Sequence, residues 1–131
     1  GEPARPIEER RQQGSPLRDV AGMLRSFDYA RAVAAERAIT RVPDMGDRIE
    51  AAFLAWRDES CESFLRGYRE GLGDARSVPS DEAERRELID IFQMEKALYE
   101  LRYEVDNRPL WLSVPAAGLL KLVRAHRGAK R

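Results

Sequence analysis

One segment constrains this chain more than any other. Downstream of Ser80, the residues Ile91, Met94, Leu98, Leu101 and Val105 recur at alternating spacings of three and four. That repeat aligns side chains along one stripe of an α-helix. A strand needs alternation by two, and no segment of four or more residues alternates convincingly, so strands are not expected. The stripe reads as the core-facing edge of a long helix. Ser80 with Glu82 and Glu84 supplies a cap and negative charge at its start. The helix carries on to about Val105, and "DNRP" stops it, since residues before proline avoid the helical region.

Three further helices follow from the same signals. Ser15 and Pro16 open a helix running to about Ala38, with Leu17, Val20, Ala21, Leu24 and Phe27 on one stripe. Asp19 in its first turn offsets the positive end of the helix dipole. Gly22 inside it costs about 1 kcal/mol relative to alanine and marks an expected close approach of another backbone. "TRVPDMG" breaks the pattern. A second helix begins near Asp44 or Asp47 with Ile49, Phe53, Trp56 and Phe64 close to one face, and "EGLGD" ends it with glycines suited to left-handed positions. After the long helix, "WLSVP" reads as a short extended link, and Pro115 opens the last helix, "PAAGLLKLVRAHR". The expected fold is all-α, a single helical domain over residues 15–131. It is preceded at 1–14 by an extended segment, "GEPARPIEERRQQG", without apolar periodicity or an initiating Met, cut from something longer or left by the way the chain was made.

Composition narrows the function. The chain has 131 residues, 23 basic against 23 acidic, and 43% hydrophobic side chains. A balanced charge of this kind gives no ground to expect nucleic-acid binding. No apolar run approaches the roughly 20 residues that span a bilayer, and nothing resembles a signal peptide. A soluble, cytoplasmic protein without membrane contact is the expectation. The single cysteine, Cys61, excludes an internal disulfide. Its neighbours Glu59 and Glu62 are expected to raise the thiol pKa, which disfavours a nucleophile. His126 stands alone in a basic tail, without partner ligands for a metal. No catalytic residue and no metal ligand is assigned.

One cluster carries binding chemistry. On the long helix, Phe92, Lys96, Tyr99 and Tyr103 gather away from the apolar stripe, flanked by Glu100, Glu104 and Asn107 and followed by Arg108 and Trp111. Aromatic rings pack against the apolar faces of a pyranose, while carboxylates and cations bind its hydroxyls. From periodicity alone the same tyrosines read more readily as packing against another helix, with the charges solvated, since most aromatic stripes are core.

Two stretches resemble a known family. "GEPARPIEERRQQGSPLRDVAGMLRSFDYA" resembles the segment that follows the metal-binding Asp-Phe-Glu of bacterial maltokinases. "MEKALYELRYEVDNRPLWLSVP" resembles their C-terminal helix and its exit, with a Lys-Ala-x-Tyr-Glu, Tyr-Glu, Asn-Arg-Pro, Trp pattern. The resemblance implies the helical C-terminal lobe of a fold similar to aminoglycoside phosphotransferases. Enzymes of that family transfer the γ-phosphate of ATP to maltose, with Mg2+, in trehalose and glycogen metabolism. They are often fused to or associated with trehalose synthase. Lys96, Tyr99, Glu100, Tyr103, Glu104, Arg108 and Trp111 would then form part of a maltose site. Asp19 would buttress a catalytic loop, and without that loop it should be solvent-exposed or paired with local N–H groups. The His-Gly-Asp loop, the ATP-clamping lysine and the magnesium aspartate of the family are absent, so the chain by itself is expected to be inactive and to bind neither ATP nor Mg2+. Its expected partners are maltose, bound weakly, the missing N-terminal lobe, trehalose synthase and a second copy of itself. The alternative is a standalone helical interaction or oligomerisation module with no catalytic role.

Overall fold

A computed structural model describes residues 15–72 and 78–128. It contains four α-helices, α1 (Leu17–Arg41), α2 (Gly46–Leu72), α3 (Glu82–Asn107) and α4 (Ser113–Gly128), and no strand among the described residues. Short 3-10 turns, Pro43–Met45 and Pro109–Trp111, join α1 to α2 and α3 to α4. The all-α expectation holds. The segment 1–14 and Gly73 of "EGLGD" lie outside the described residues.

Helix α1 is the axis of the domain, since α2, α3 and α4 all pack on it. Ser15 Oγ accepts a hydrogen bond from Leu17 N at 3.3 Å, and Asp19 sits exposed in the first turn. The helix ends where Val42, preceding Pro43, leaves the helical region with φ −139°. Helix α2 packs along α1 but along neither α3 nor α4, and none of its residues is fully buried. Helices α3 and α4 form an antiparallel pair, as their short connection requires.

Several local expectations need correction. The cap of α3 is Asp81 rather than Ser80: its Oδ1 accepts from Ala83 N at 2.6 Å and Glu84 N at 3.0 Å. A carboxylate there serves two free N–H groups and the helix dipole at once. "WLSVP" is not extended, because Trp111 N and Leu112 N donate to Arg108 O and Pro109 O, making a 3-10 turn that leads straight into α4. Pro115 is buried within α4, whose first residue is Ser113. Gly22 has no neighbouring atom where a Cβ would stand, so it marks no close approach. Gly71 is helical inside α2.

The largest correction concerns the stripe on α3. Ile91, Leu98 and Val105 are 47%, 56% and 57% exposed, and Met94 and Leu101 are only half-buried. The edge that faces inward carries Ile89, Ala97, Glu100 and Glu104. Its first half meets an apolar core of Leu17, Val20 and Leu24, packed by Phe64, Leu65, Tyr68, Leu88 and Phe92. Its second half meets charge. Apolar spacing therefore selected the wrong edge of a helix whose interior contacts are half ionic. Trp56 likewise lies exposed on α2, edge-on to Phe27 with ring centroids 6.2 Å apart. No described helix is long and apolar enough to cross a membrane.

Candidate functional site

The charged half of the interior is built from two matched pairs, one turn apart on facing helices. Arg25 and Tyr29 are four residues apart on α1, and Glu100 and Glu104 are four apart on α3. Arg25 is 1% exposed, as is Glu104. A buried guanidinium is tolerable only with full partnership. Arg25 Nε and Nη2 donate to Glu100 Oε2 at 2.9 and 2.7 Å, and Nη1 donates to Asp28 Oδ2 at 2.5 Å. Asp28 in turn accepts from Arg57 Nη1 at 2.6 Å, and Arg57 Nε lies 2.8 Å from Asp58, which also takes Lys121 Nζ at 3.2 Å. The chain of alternating charge thus touches α3, α1, α2 and α4 and carries no net charge.

One turn along, Tyr29 donates its hydroxyl to Glu104 Oε1 at 2.8 Å. Arg108 grips the same carboxylate with both arms, Nε to Oε2 at 2.9 Å and Nη2 to Oε1 at 2.7 Å. The Arg108 guanidinium lies over the rings of Tyr103 and Trp111, 5.5 and 5.3 Å from their centroids. Trp111 stacks on Tyr29 at 6.3 Å with only 9° between the planes. Tyr29, Tyr99, Glu100, Tyr103, Glu104 and Arg108 enclose an open hollow of about 240 Å³. Both Tyr99 and Tyr103 are exposed there rather than packed as core. Lys96 lies 5.2 Å from the Tyr99 ring.

Five of the seven residues singled out for sugar binding, Tyr99, Glu100, Tyr103, Glu104 and Arg108, line this hollow. Lys96 and Trp111 do not, and meet its lining residues Tyr99, Arg108 and Tyr29 instead. The tyrosine rings and the outer edge of Arg108 face outward; Glu104 is fully engaged with internal donors. Asp19 stands exposed and apart from the lining. Sequence reasoning missed Arg25 and Tyr29. A signal was present: Arg25 falls on the stripe of Leu17, Ala21 and Leu24, where a charged residue demands a buried partner.

Electrostatics follow burial. The Glu100 carboxyl is pushed above the usual range by burial, with Arg25 pulling the other way. Tyr29 is raised well beyond an ordinary phenol by burial and by its bond to Glu104. The Cys61 thiol is also raised, chiefly by burial and then by the charge of Asp28, rather than by Glu59 and Glu62.

A larger hollow of about 670 Å³ lies at the opposite end of α3, over Leu24, Leu65, Tyr68 and Ile89, with Asp90 and His126 on its rim. Burial raises the Asp90 carboxyl, against the pull of Arg86 and His126. Among the described residues no group of three or more His, Cys, Asp or Glu could hold a metal ion. Fold and site together define an all-α domain with a polar, aromatic-rimmed hollow. No protein-family model matches the chain.

Proposed function

We propose that the chain is the helical C-terminal lobe of a cytoplasmic, maltokinase-like sugar kinase. The hollow between Tyr29, Tyr99, Tyr103 and Arg108 is then its share of the disaccharide site. One observation supports this above the rest: four of the residues that the resemblance marks on α3, Tyr99, Glu100, Tyr103 and Glu104, line one hollow together with Arg108. Two exposed phenol rings offer stacking faces to a pyranose, and Arg108, held flat by Glu104, offers donors in a fixed fork. At about 240 Å³ the hollow is smaller than a complete small-molecule pocket, in keeping with a site shared with another lobe. In this reading ATP and Mg2+ belong to that lobe, and trehalose synthase supplies the maltose.

The test is an NMR titration of the chain with maltose. Binding should be millimolar at best, about −4 kcal/mol, with shifts confined to Tyr29, Tyr99, Tyr103, Arg108 and Trp111. Shifts elsewhere, or none, defeat the reading. A second reading, an interaction module without catalytic role, draws support from the exposed apolar residues of α3. The upstream coding sequence separates the two: a His-Gly-Asp loop and an Asp-Phe-Glu ahead of Gly1 favour the kinase lobe, and their absence the module.

A further inference from the structure

Helix α3 carries an apolar seam on its outer side. Ile91, Leu98 and Val105 stand at one position of a seven-residue repeat and Met94 and Leu101 at the other apolar position. This is the a/d pattern by which one helix seats against another. The seam runs about 21 Å at 1.5 Å per residue, and its three a residues are exposed. Helix α4, which packs on α3, exposes Leu120 and Val123 as well.

We infer that a second copy of this chain covers the seam, with the two α3 helices antiparallel. Charge selects both the partner and the register. The residue following each d position is Glu95 or Arg102, and both are exposed. In an antiparallel pair these e positions meet their counterparts on the other helix. With Leu98 opposite Leu101 of the second copy, and Met94 opposite its Val105, the four central layers are apolar, and Ile91 falls opposite Arg108 just past the end of α3. Each Glu95 then meets an Arg102, twice by symmetry. Sliding the helices by one repeat sets Glu95 against Glu95, or Arg102 against Arg102 in the other direction, so neighbouring registers are repulsive. A parallel pair matches e with g instead, which sets Glu95 against Asp90, a half-buried carboxylate of like charge, and Arg102 against the fully buried Ala97. Neither Glu95 nor Arg102 then meets an opposite charge. Glu95 also pairs with Arg18 at 2.8 Å, but an exposed ion pair of this kind yields readily to a competing guanidinium.

The seam is shorter than a standard interface needs, so the expected dimer is weak, with a dissociation constant on the order of 10 µM. Sedimentation equilibrium on the 131-residue chain, from low micromolar to sub-millimolar, should show a monomer–dimer equilibrium. Leu98→Glu should be monomeric throughout, with unchanged helical circular dichroism because Leu98 is exposed. Arg102→Glu should weaken the dimer at least about tenfold, since like charges then face each other. The double exchange Glu95→Arg/Arg102→Glu should restore it. A wild-type chain that stays monomeric overturns the inference. So does a dimer that survives Leu98→Glu, or a double variant no tighter than Arg102→Glu alone.

Discussion

Gly118 of α4 lies directly against the Arg25 guanidinium of α1: a methyl group at position 118 would stand 2.1 Å from Nη1 and 2.8 Å from Cζ. Ordinarily the end of an arginine moves aside cheaply. Here it is 1% exposed and pinned by Glu100 and Asp28, so it has nowhere to go without leaving its carboxylates.

Gly118→Ala is therefore expected to destabilise the domain by about 2–4 kcal/mol. A broken buried ion pair costs about 3–5 kcal/mol, and better helix propensity returns about 1 kcal/mol. Urea unfolding measures the difference. Gly22→Ala is the control within the same protein: nothing lies where its methyl would go, so it should stabilise by roughly 0.5–1 kcal/mol. Equal effects at the two positions would show that the Arg25 contact carries no stability.

Asp90 makes a prediction about pH. Burial holds its carboxyl above the usual range in the folded chain, whereas the unfolded chain ionises it normally. The folded state thus binds more protons in that window, and stability falls as pH rises from the ordinary carboxylate range through the raised value. Glu100, raised for the same reason, acts in the same direction. Asp90→Asn should make the decline in unfolding free energy that begins above the ordinary carboxylate range, at about pH 4, shallower. An unchanged slope would clear Asp90 of any part in it.

Tyr29 should be the last phenol to ionise. Burial and the bond to Glu104 both favour its neutral form. In a spectrophotometric titration, Tyr29→Phe should delete the component that appears latest, above the ordinary range near about pH 10. Losing one hydrogen bond costs about 1 kcal/mol, because Arg108 still holds both oxygens of Glu104. Loss of an early component instead would place Tyr29 in solvent.

Tyr103→Ala separates binding from folding. The ring is exposed, so truncation should change stability by no more than about 1 kcal/mol. If the chain holds part of a maltose site as proposed, maltose-induced NMR shifts should nevertheless weaken at least severalfold in this variant, and in a full-length kinase the maltose KM should rise far more than the ATP KM. A loss of stability with intact binding would make Tyr103 a packing residue.

Helix identity was legible in the sequence because capping, proline stops and spacing are local signals. All four helices stand within a few residues of their expected bounds. Orientation was legible for α1, whose Leu17, Val20, Ala21 and Leu24 do face inward. It was legible in part for α2, whose Phe64 packs on the core and whose Ile49 and Phe53 are half-buried, while Trp56 is exposed. For α3 the same logic failed, because Glu100 and Glu104 occupy the buried edge and Ile91, Leu98 and Val105 the outer one. Hydropathy ranks a carboxylate as solvated, and only knowledge of Arg25 across the interface reverses that ranking. The α3 half of the hollow was readable since its residues share one helix and its exit. The α1 half, Arg25 and Tyr29, arrives from 75 residues away, beyond the reach of periodicity.

The position of α2 sets the order in which the molecule comes apart. The helix-scale packing of α2 is on α1, without a fully buried residue, and its ion pairs to α3 and α4, Arg69–Glu82 and Lys121–Asp58, are both exposed. Such an element is the lowest rung of local opening. Amide exchange in α2 should outpace that of α1 and α3, and added salt should widen the gap by screening the exposed pairs. A protease would find its first cut there, and loss of the helix would lift Phe64, Leu65 and Tyr68 off the apolar core of Leu17, Val20 and Leu24.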